Sequence, residues 1–189
     1  TGVPGHAREG ILRQKADVLY PEEQIARRVA ELGAEITRTF EGRELCVLGL
    51  MEGSVVFMAD LVRHISLDLT FHMIRVNVHR EQAAGVVRTE ISYATDVPLD
   101  GVDVLLVEDV VDTGITLSYL MSHVHELGAK SLKVCTLVDK PGSRKIDVHP
   151  DWAAFSPDAP LDDRFIVGYG LGWQGRYRAL PYVGTIPRP

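Results

Sequence analysis

Cysteine is scarce: Cys46 and Cys135 are the two in 189 residues. Each falls in a short apolar run that reads as a buried strand. Neither a disulfide framework nor a thiolate zinc site is therefore expected, and a reducing cytoplasm fits. No apolar run approaches the roughly 18 residues that a membrane span needs, and no secretory signal is visible. Basic charge is also short, with 20 Lys and Arg against 26 Asp and Glu, a net charge of −6. A general nucleic-acid binder carries a basic face, so neither nucleic acid nor membrane is expected as a partner. Internal repeats and low-complexity tracts are missing. So are the GxxxxGK[ST] phosphate loop, a GxGxxG fingerprint between a strand and a helix, and the HExxH pair. His123 and His125 stand two apart on an expected helix, so they point in different directions.

What remains is ordinary for a globular chain, 46% hydrophobic and 24% charged. The length suits a single domain, 1–189. Pro21 and two glutamates open a helix in which Ile25, Val29, Leu32, Ile36 and Phe40 recur at helical spacing, with Gly42 as its end. "ELCVLGLM" (44–51) reads as a strand, and roughly 54–65 as a helix. Strands are expected near 68–78 and 86–93, and "VDVLLVED" is another. Its unbroken apolar run suggests burial on both faces, as in a parallel sheet. A helix from Thr113 to Gly128 and a strand at 132–139 follow. This alternation predicts an α/β fold with a central, mostly parallel sheet flanked by helices. The last 50 residues are rich in proline and glycine. They read as a small hood over about 141–189, with short strands near 152–155, 164–168 and 182–186, on a core of about 10–140.

The stretch "VLLVEDVVDTGIT" (104–116) holds a conflict. Ligands of open parallel sheets bind at the C-terminal ends of the strands. There Thr113, Gly114, Ile115 and Thr116 open a helix whose free amides and dipole favour an anion. Yet Glu108, Asp109 and Asp112 stand beside that cradle and repel one. A ligand with a phosphate at one end, a ribose diol in the middle and a magnesium-bound group beyond resolves the conflict. Phosphoribosyl pyrophosphate is such a ligand.

Four apolar residues, two acids, two apolar residues and then Asp-Thr-Gly-x-Thr resemble the signature of the type I phosphoribosyltransferases. "EGSVVFMADLVRHI", "LVDKP" (137–141) and "RFIVGYGLGWQGRYRALPYVGTI" (164–186) are similar to segments of the hypoxanthine-guanine branch. The likeness runs from about residue 10 to 186 and implies that family's fold, with a hood from the C-terminal region. It also implies magnesium, a phosphoribosyl pyrophosphate and a purine-like base as substrates, and a homodimer or homotetramer. By that resemblance Glu108 and Asp109 bind the ribose hydroxyls, directly or through the metal. Asp112 is the catalytic proton partner of the purine N7. Thr113, Gly114, Ile115 and Thr116 hold the 5′-phosphate. Lys140 donates to the purine O6, Phe165 stacks on the base, the Ile166 backbone reads its edge, and Trp173 shapes the pocket near the 2-position. Glu52, Gly53 and Arg178 meet pyrophosphate.

Three positions depart from the family pattern. Glu52 stands where a basic or neutral residue is usual. "NVHREQAAGVV" replaces a Ser-Tyr lid, with His79 or Arg80 as a substitute cation. Gly172 precedes Trp173 where an acid is usual. Three functions follow: ribosylation of hypoxanthine or guanine, the same reaction on a modified purine such as a 7-deazaguanine, or a non-catalytic sensor of ribose phosphates.

Overall fold

The computed structural model describes residues 15–81, 86–93, 97–159, 161 and 163–188. The side chains of 77–91 lie outside that description, and with them the expectation placed on His79 and Arg80.

A six-stranded sheet forms the centre. Its strands are β2 (Leu45–Leu50), β3 (Leu69–Glu81), β4 (Val86–Tyr93), β5 (Asp103–Val111), β6 (Ser131–Asp139) and β7 (Trp152–Phe155), in the spatial order β4-β3-β2-β5-β6-β7. Five strands are parallel and β4 runs antiparallel to β3 at the edge. The apolar runs behave as parallel strands must. Val47, Leu48, Leu105, Leu106, Val107, Cys135 and Leu137 are all 0% exposed, because helices cover both faces.

On one face lie α1 (Glu22–Thr39) and α2 (Val55–Arg63). The helical spacing of α1 turns Ile25, Val29, Leu32 and Ile36 into a single core cluster with Phe57, Met58 and Leu61 of α2. Each such buried aliphatic side chain contributes about 1.5–3 kcal/mol of transfer free energy. The other face carries α3 (Ile115–Glu126), whose Leu117, Leu120 and Val124 pack on Val104, Leu106 and Val134. α1 ends at Thr39, before the expected Gly42, and α3 starts two residues later than expected. The second shift has a local cause: Gly114 sits at φ +82, which no right-handed helix includes. No described helix is long and apolar enough to cross a membrane.

A second sheet has the antiparallel order β1-β9-β8, from β1 (Asp17–Tyr20), β8 (Arg164–Val167) and β9 (Val183–Pro187). Two pairings redistribute the stretch expected as hood. β7 hydrogen-bonds to β6 and so belongs to the central sheet, whereas β1, far from the C-terminal region in sequence, pairs with β9. The small sheet has no core of its own. Ile166, Tyr169, Leu171 and Val183 join the cluster beneath α1 and α2.

From β2 the chain crosses to β3 on one side, and from β5 it crosses to β6 on the other. The crevice between β2 and β5 is thus the point where the winding reverses, the place where such sheets accept ligands.

Candidate active site

The loops that leave β2, β5 and β6 meet over that crevice. With the hood they enclose a cleft of about 690 Å³. Its floor and walls include Glu52 and Gly53 from the first loop, Asp109, Asp112 and Thr113 from the second, and Lys140 from the third. The hood adds Phe165, Ile166, Leu171, Gly172 and Arg178. Of the residues proposed from sequence, Trp173 stands behind this lining. It packs edge-on against Phe165, with ring centroids 4.9 Å apart, and so backs the aromatic that faces the cleft.

The two adjacent acids separate by strand alternation. Asp109 points to the α1/α2 face and into the cleft, directly over Gly53. A Cβ at residue 53 would lie 1.6 Å from Asp109 Oδ2, so only glycine admits this approach. The Val110 amide donates to Asp109 Oδ1 at 2.8 Å. Glu108 points to the α3 face and is 3% exposed. Its Oε1 has no hydrogen-bond partner among the described residues. Burial, with Asp109 alongside, pushes its carboxyl up to about 8, while Arg144 offsets part of the effect. Asp109 is raised too, by burial first, with its backbone hydrogen bonds and Arg178 opposing.

This shift has a consequence for the metal-free protein. In the folded state Glu108 keeps its proton up to about pH 8, whereas the unfolded chain releases it near 4.5. The folded state therefore binds more protons across that window, and stability falls as pH rises through it, by a few kcal/mol. Replacing Glu108 by glutamine removes the dependence. In EDTA the variant should melt higher than wild type at pH 8 and no higher at pH 4. Parallel melting curves at both pH values would show that Glu108 is not held protonated.

Asp112 and Thr113 line the cleft, Gly114 is buried behind them, and Ile115 and Thr116 are exposed at the start of α3. The cradle is braced from behind. Thr113 O accepts the amides of Lys145 at 2.9 Å and Ile146 at 3.2 Å. A Cβ at Gly114 would meet Val148 Cγ2 at 2.7 Å and Ile146 O at 3.0 Å, so both the positive φ and the packing select glycine. Asp112 Oδ2 accepts a hydrogen bond from Lys140 Nζ at 3.1 Å. An acceptor and a donor thus stand side by side in the cleft.

Sequence reasoning missed Arg144. Its guanidinium is almost fully buried and donates to the carbonyls of Val111 at 3.0 Å and Asp112 at 2.5 Å, and to the Asp139 carboxylate. It clamps the backbone that presents Asp112. The only local signal was an arginine four residues after Lys140 in the same loop. Lys145, Arg164 and Arg188 also reach the cleft wall. Two hood contacts set the opening. Tyr169 Oη donates to the Asp60 carboxylate of α2 at 2.6 Å. Gly170 lies so close to the first loop that a Cβ would be 2.5 Å from Gly53 O.

A doubly wound sheet with acids and an anion cradle at its switch point, closed by a small antiparallel hood, is the type I phosphoribosyltransferase fold. The family model described as phosphoribosyl transferase domain matches residues 15–172. The hypoxanthine-guanine phosphoribosyltransferase of Bacillus subtilis is 38% identical over 169 residues, 89% of this chain and 92% of that protein. The hypoxanthine phosphoribosyltransferase of Salmonella typhimurium is 37% identical over 93% of this chain and 97% of its own length. A crystal structure of a hypoxanthine-guanine phosphoribosyltransferase from Bacillus anthracis superposes with a TM-score of 0.80 at 39% identity, covering 92% of this chain and 99% of that one. The chain belongs to the hypoxanthine-guanine phosphoribosyltransferase family.

Proposed function

We propose that this protein transfers ribose 5-phosphate from phosphoribosyl pyrophosphate to hypoxanthine or guanine, giving the nucleoside monophosphate and pyrophosphate. The observation that carries the base assignment is the Asp112–Lys140 pair, 3.1 Å apart in a cleft with Phe165 on its wall. An N7-protonated 6-oxopurine offers the complementary edge, N7–H as donor beside O6 as acceptor. Phe165 supplies a face for the ring, and the Ile166 backbone runs along its edge.

The bonds follow from that placement. Purine N9 attacks C1 of the ribose as the bond from C1 to the pyrophosphate oxygen breaks. The N7 proton passes to Asp112, and Lys140 stabilises charge on O6. The sugar gains positive charge on the way, and the Asp109 carboxylate facing the cleft stabilises it. The 5′-phosphate rests on the amides of Thr113, Gly114, Ile115 and Thr116. Arg178 and the Glu52-Gly53 turn face the leaving pyrophosphate.

Asp109 fits a divalent cation, because its carboxylate faces the cleft, whereas Glu108, turned to the α3 face and outside the cleft lining, is not placed to share that ion. Both are buried acids raised by burial, and Glu108 Oε1 lacks a partner among the described residues. No cluster of three or more His, Cys, Asp or Glu suited to a metal occurs among the described residues. Magnesium held by the one cleft carboxylate would thus take its other ligands from water and substrate oxygens, its usual habit. When bound, it would neutralise negative charge on the activated sugar. Buried free thiols at Cys46 and Cys135 favour a reducing compartment, and we extend the reading to a cytoplasmic homo-oligomer on family resemblance.

The test is a panel of hypoxanthine, guanine, xanthine, adenine and 7-deazaguanines with phosphoribosyl pyrophosphate and Mg²⁺, scored by nucleotide formation. Hypoxanthine or guanine should lead, and excess EDTA should abolish turnover. A 7-deaza base presents carbon to Asp112, so preference for it would replace the salvage reading. Silence across the panel with sugar-phosphate binding intact would favour a sensor.

A further inference from the structure

Glu52 is an acid in the part of the cleft assigned to a departing diphosphate. Its two oxygens are held by arginines from separate parts of the chain. Oε1 accepts from Arg75 Nη2 and Oε2 from Arg178 Nη2, each at 3.2 Å. Arg178 is anchored further. Its Nη1 donates to Gly170 O at 2.6 Å. Its stem lies over Gly172, where a Cβ would meet Arg178 Cγ at 2.8 Å. Arg75 extends from β3, one residue after Ile74, whose carbonyl accepts the Met51 amide at 2.8 Å. The middle of β3 and the hood therefore converge on one carboxylate at the cleft wall.

Folding stability does not explain the cluster. Side-chain exposures of 48% for Arg75, 56% for Glu52 and 35% for Arg178 make these solvent-screened pairs, which stabilise little. The geometry is nevertheless specific. Two guanidiniums meet one anion, one on each oxygen, and each keeps further N–H donors of the fork that matches a phosphate edge. A diphosphate offers the same arrangement with more charge and more oxygens.

We propose that Arg75 is a second diphosphate-binding arginine of this cleft, and that Glu52 is a resident anion holding Arg75 and Arg178 toward each other until a diphosphate takes its place. The inference rests on the transfer reaction above and names how its leaving group is received. Glu52, more than half exposed, swings toward water as the diphosphate enters. Two carboxylate pairs are exchanged for two phosphate pairs, and no covalent step is involved. The pyrophosphoryl arm of the activated sugar makes the same exchange. A nucleoside monophosphate, which has no second phosphate, leaves Glu52 where it is.

The experiment is calorimetric titration of the full chain with inorganic pyrophosphate and Mg²⁺, and separately with GMP. Wild type, Glu52→Gln, Arg75→Gln and Arg75→Lys are compared, with melting temperatures as a check on folding. Removing the competing charge should tighten pyrophosphate binding about tenfold in Glu52→Gln. Arg75→Gln should weaken it about tenfold, and Arg75→Lys, which keeps charge without the fork, should fall between. GMP affinity should stay within about twofold of wild type throughout.

Unchanged or weaker pyrophosphate binding in Glu52→Gln would overturn the competition. Unchanged binding in both Arg75 variants, or none in wild type, would overturn the site. If pyrophosphate affinities move as stated but no purine is ribosylated, the transfer reading fails and the diphosphate site stands. If ribosylation proceeds while the affinities stay fixed, this inference fails alone.

Discussion

Replacing Asp112 by asparagine should lower single-turnover transfer by about 10²–10⁴-fold, the usual contribution of a positioned proton acceptor. Binding of base and nucleotide should change far less. The side chain keeps its size, and an amide oxygen can still accept from Lys140, which now donates to Asp112 Oδ2 at 3.1 Å. Its backbone is held independently, by Arg144 on Asp112 O and by the Lys140 amide on Val111 O at 2.9 Å. Asparagine therefore removes proton affinity while geometry stays put. Steady-state kcat falls less if product release limits the wild type, so the measurement is a rapid-quench single turnover, with KM for both substrates alongside. A single-turnover rate equal to wild type would take Asp112 out of proton transfer.

Gly53→Ala should be nearly as damaging, through shape alone. The new methyl carbon would lie 1.6 Å from Asp109 Oδ2 and 2.6 Å from its Cγ. Asp109 is largely buried on β5 and the hood presses on the loop from the other side, at Gly170. Neither partner yields cheaply. The carboxylate is displaced or the first loop separates from the hood, and overpacking of this kind costs about 1–3 kcal/mol of stability. We expect kcat/KM for phosphoribosyl pyrophosphate to fall at least about 100-fold, since ångström-scale misplacement alone costs about that much. A paired variant separates cause from collateral damage. Adding Asp109→Ala removes the two closest contacts and leaves only its Cβ, 3.0 Å away, so the double variant should recover most of the lost stability relative to Gly53→Ala yet remain inactive. Wild-type kcat/KM in Gly53→Ala would mean that the Asp109 carboxylate is not needed over Gly53.

Much of this was legible in the chain itself, and the reasons are local. Leu45–Leu50, Asp103–Val111 and Ser131–Asp139 are strands because continuous apolar runs of that length have no other stable burial than between two helical layers. The cradle before α3 was read at Gly114, whose conformation is a property of one residue, although the helix start was placed two residues early. The acids were placed by their position at a strand end and Lys140 by family resemblance, and Asp109, Asp112 and Lys140 line one cleft.

Pairing across long sequence separations was a different matter. Nothing local tells β1 to join β9, or β7 to extend the central sheet, because edge pairing is decided by which partner the folded core brings within hydrogen-bond reach. The same holds for side chains. Strand alternation sends Glu108 and Asp109 to opposite faces, yet only the assembled layers make one a buried acid without a partner and the other a cleft wall. Arg144 beneath Asp112, and Arg75 beside Glu52 and Arg178, were two arginines with no pattern to single them out until the loops met. Sequence by itself determined the elements other than β1, the layered α/β class and the anion cradle, since those depend on short-range sterics and hydrophobic spacing. Tertiary structure decided which charges face each other, because electrostatic partners are set by distance in space and burial, and neither is a function of separation along the chain.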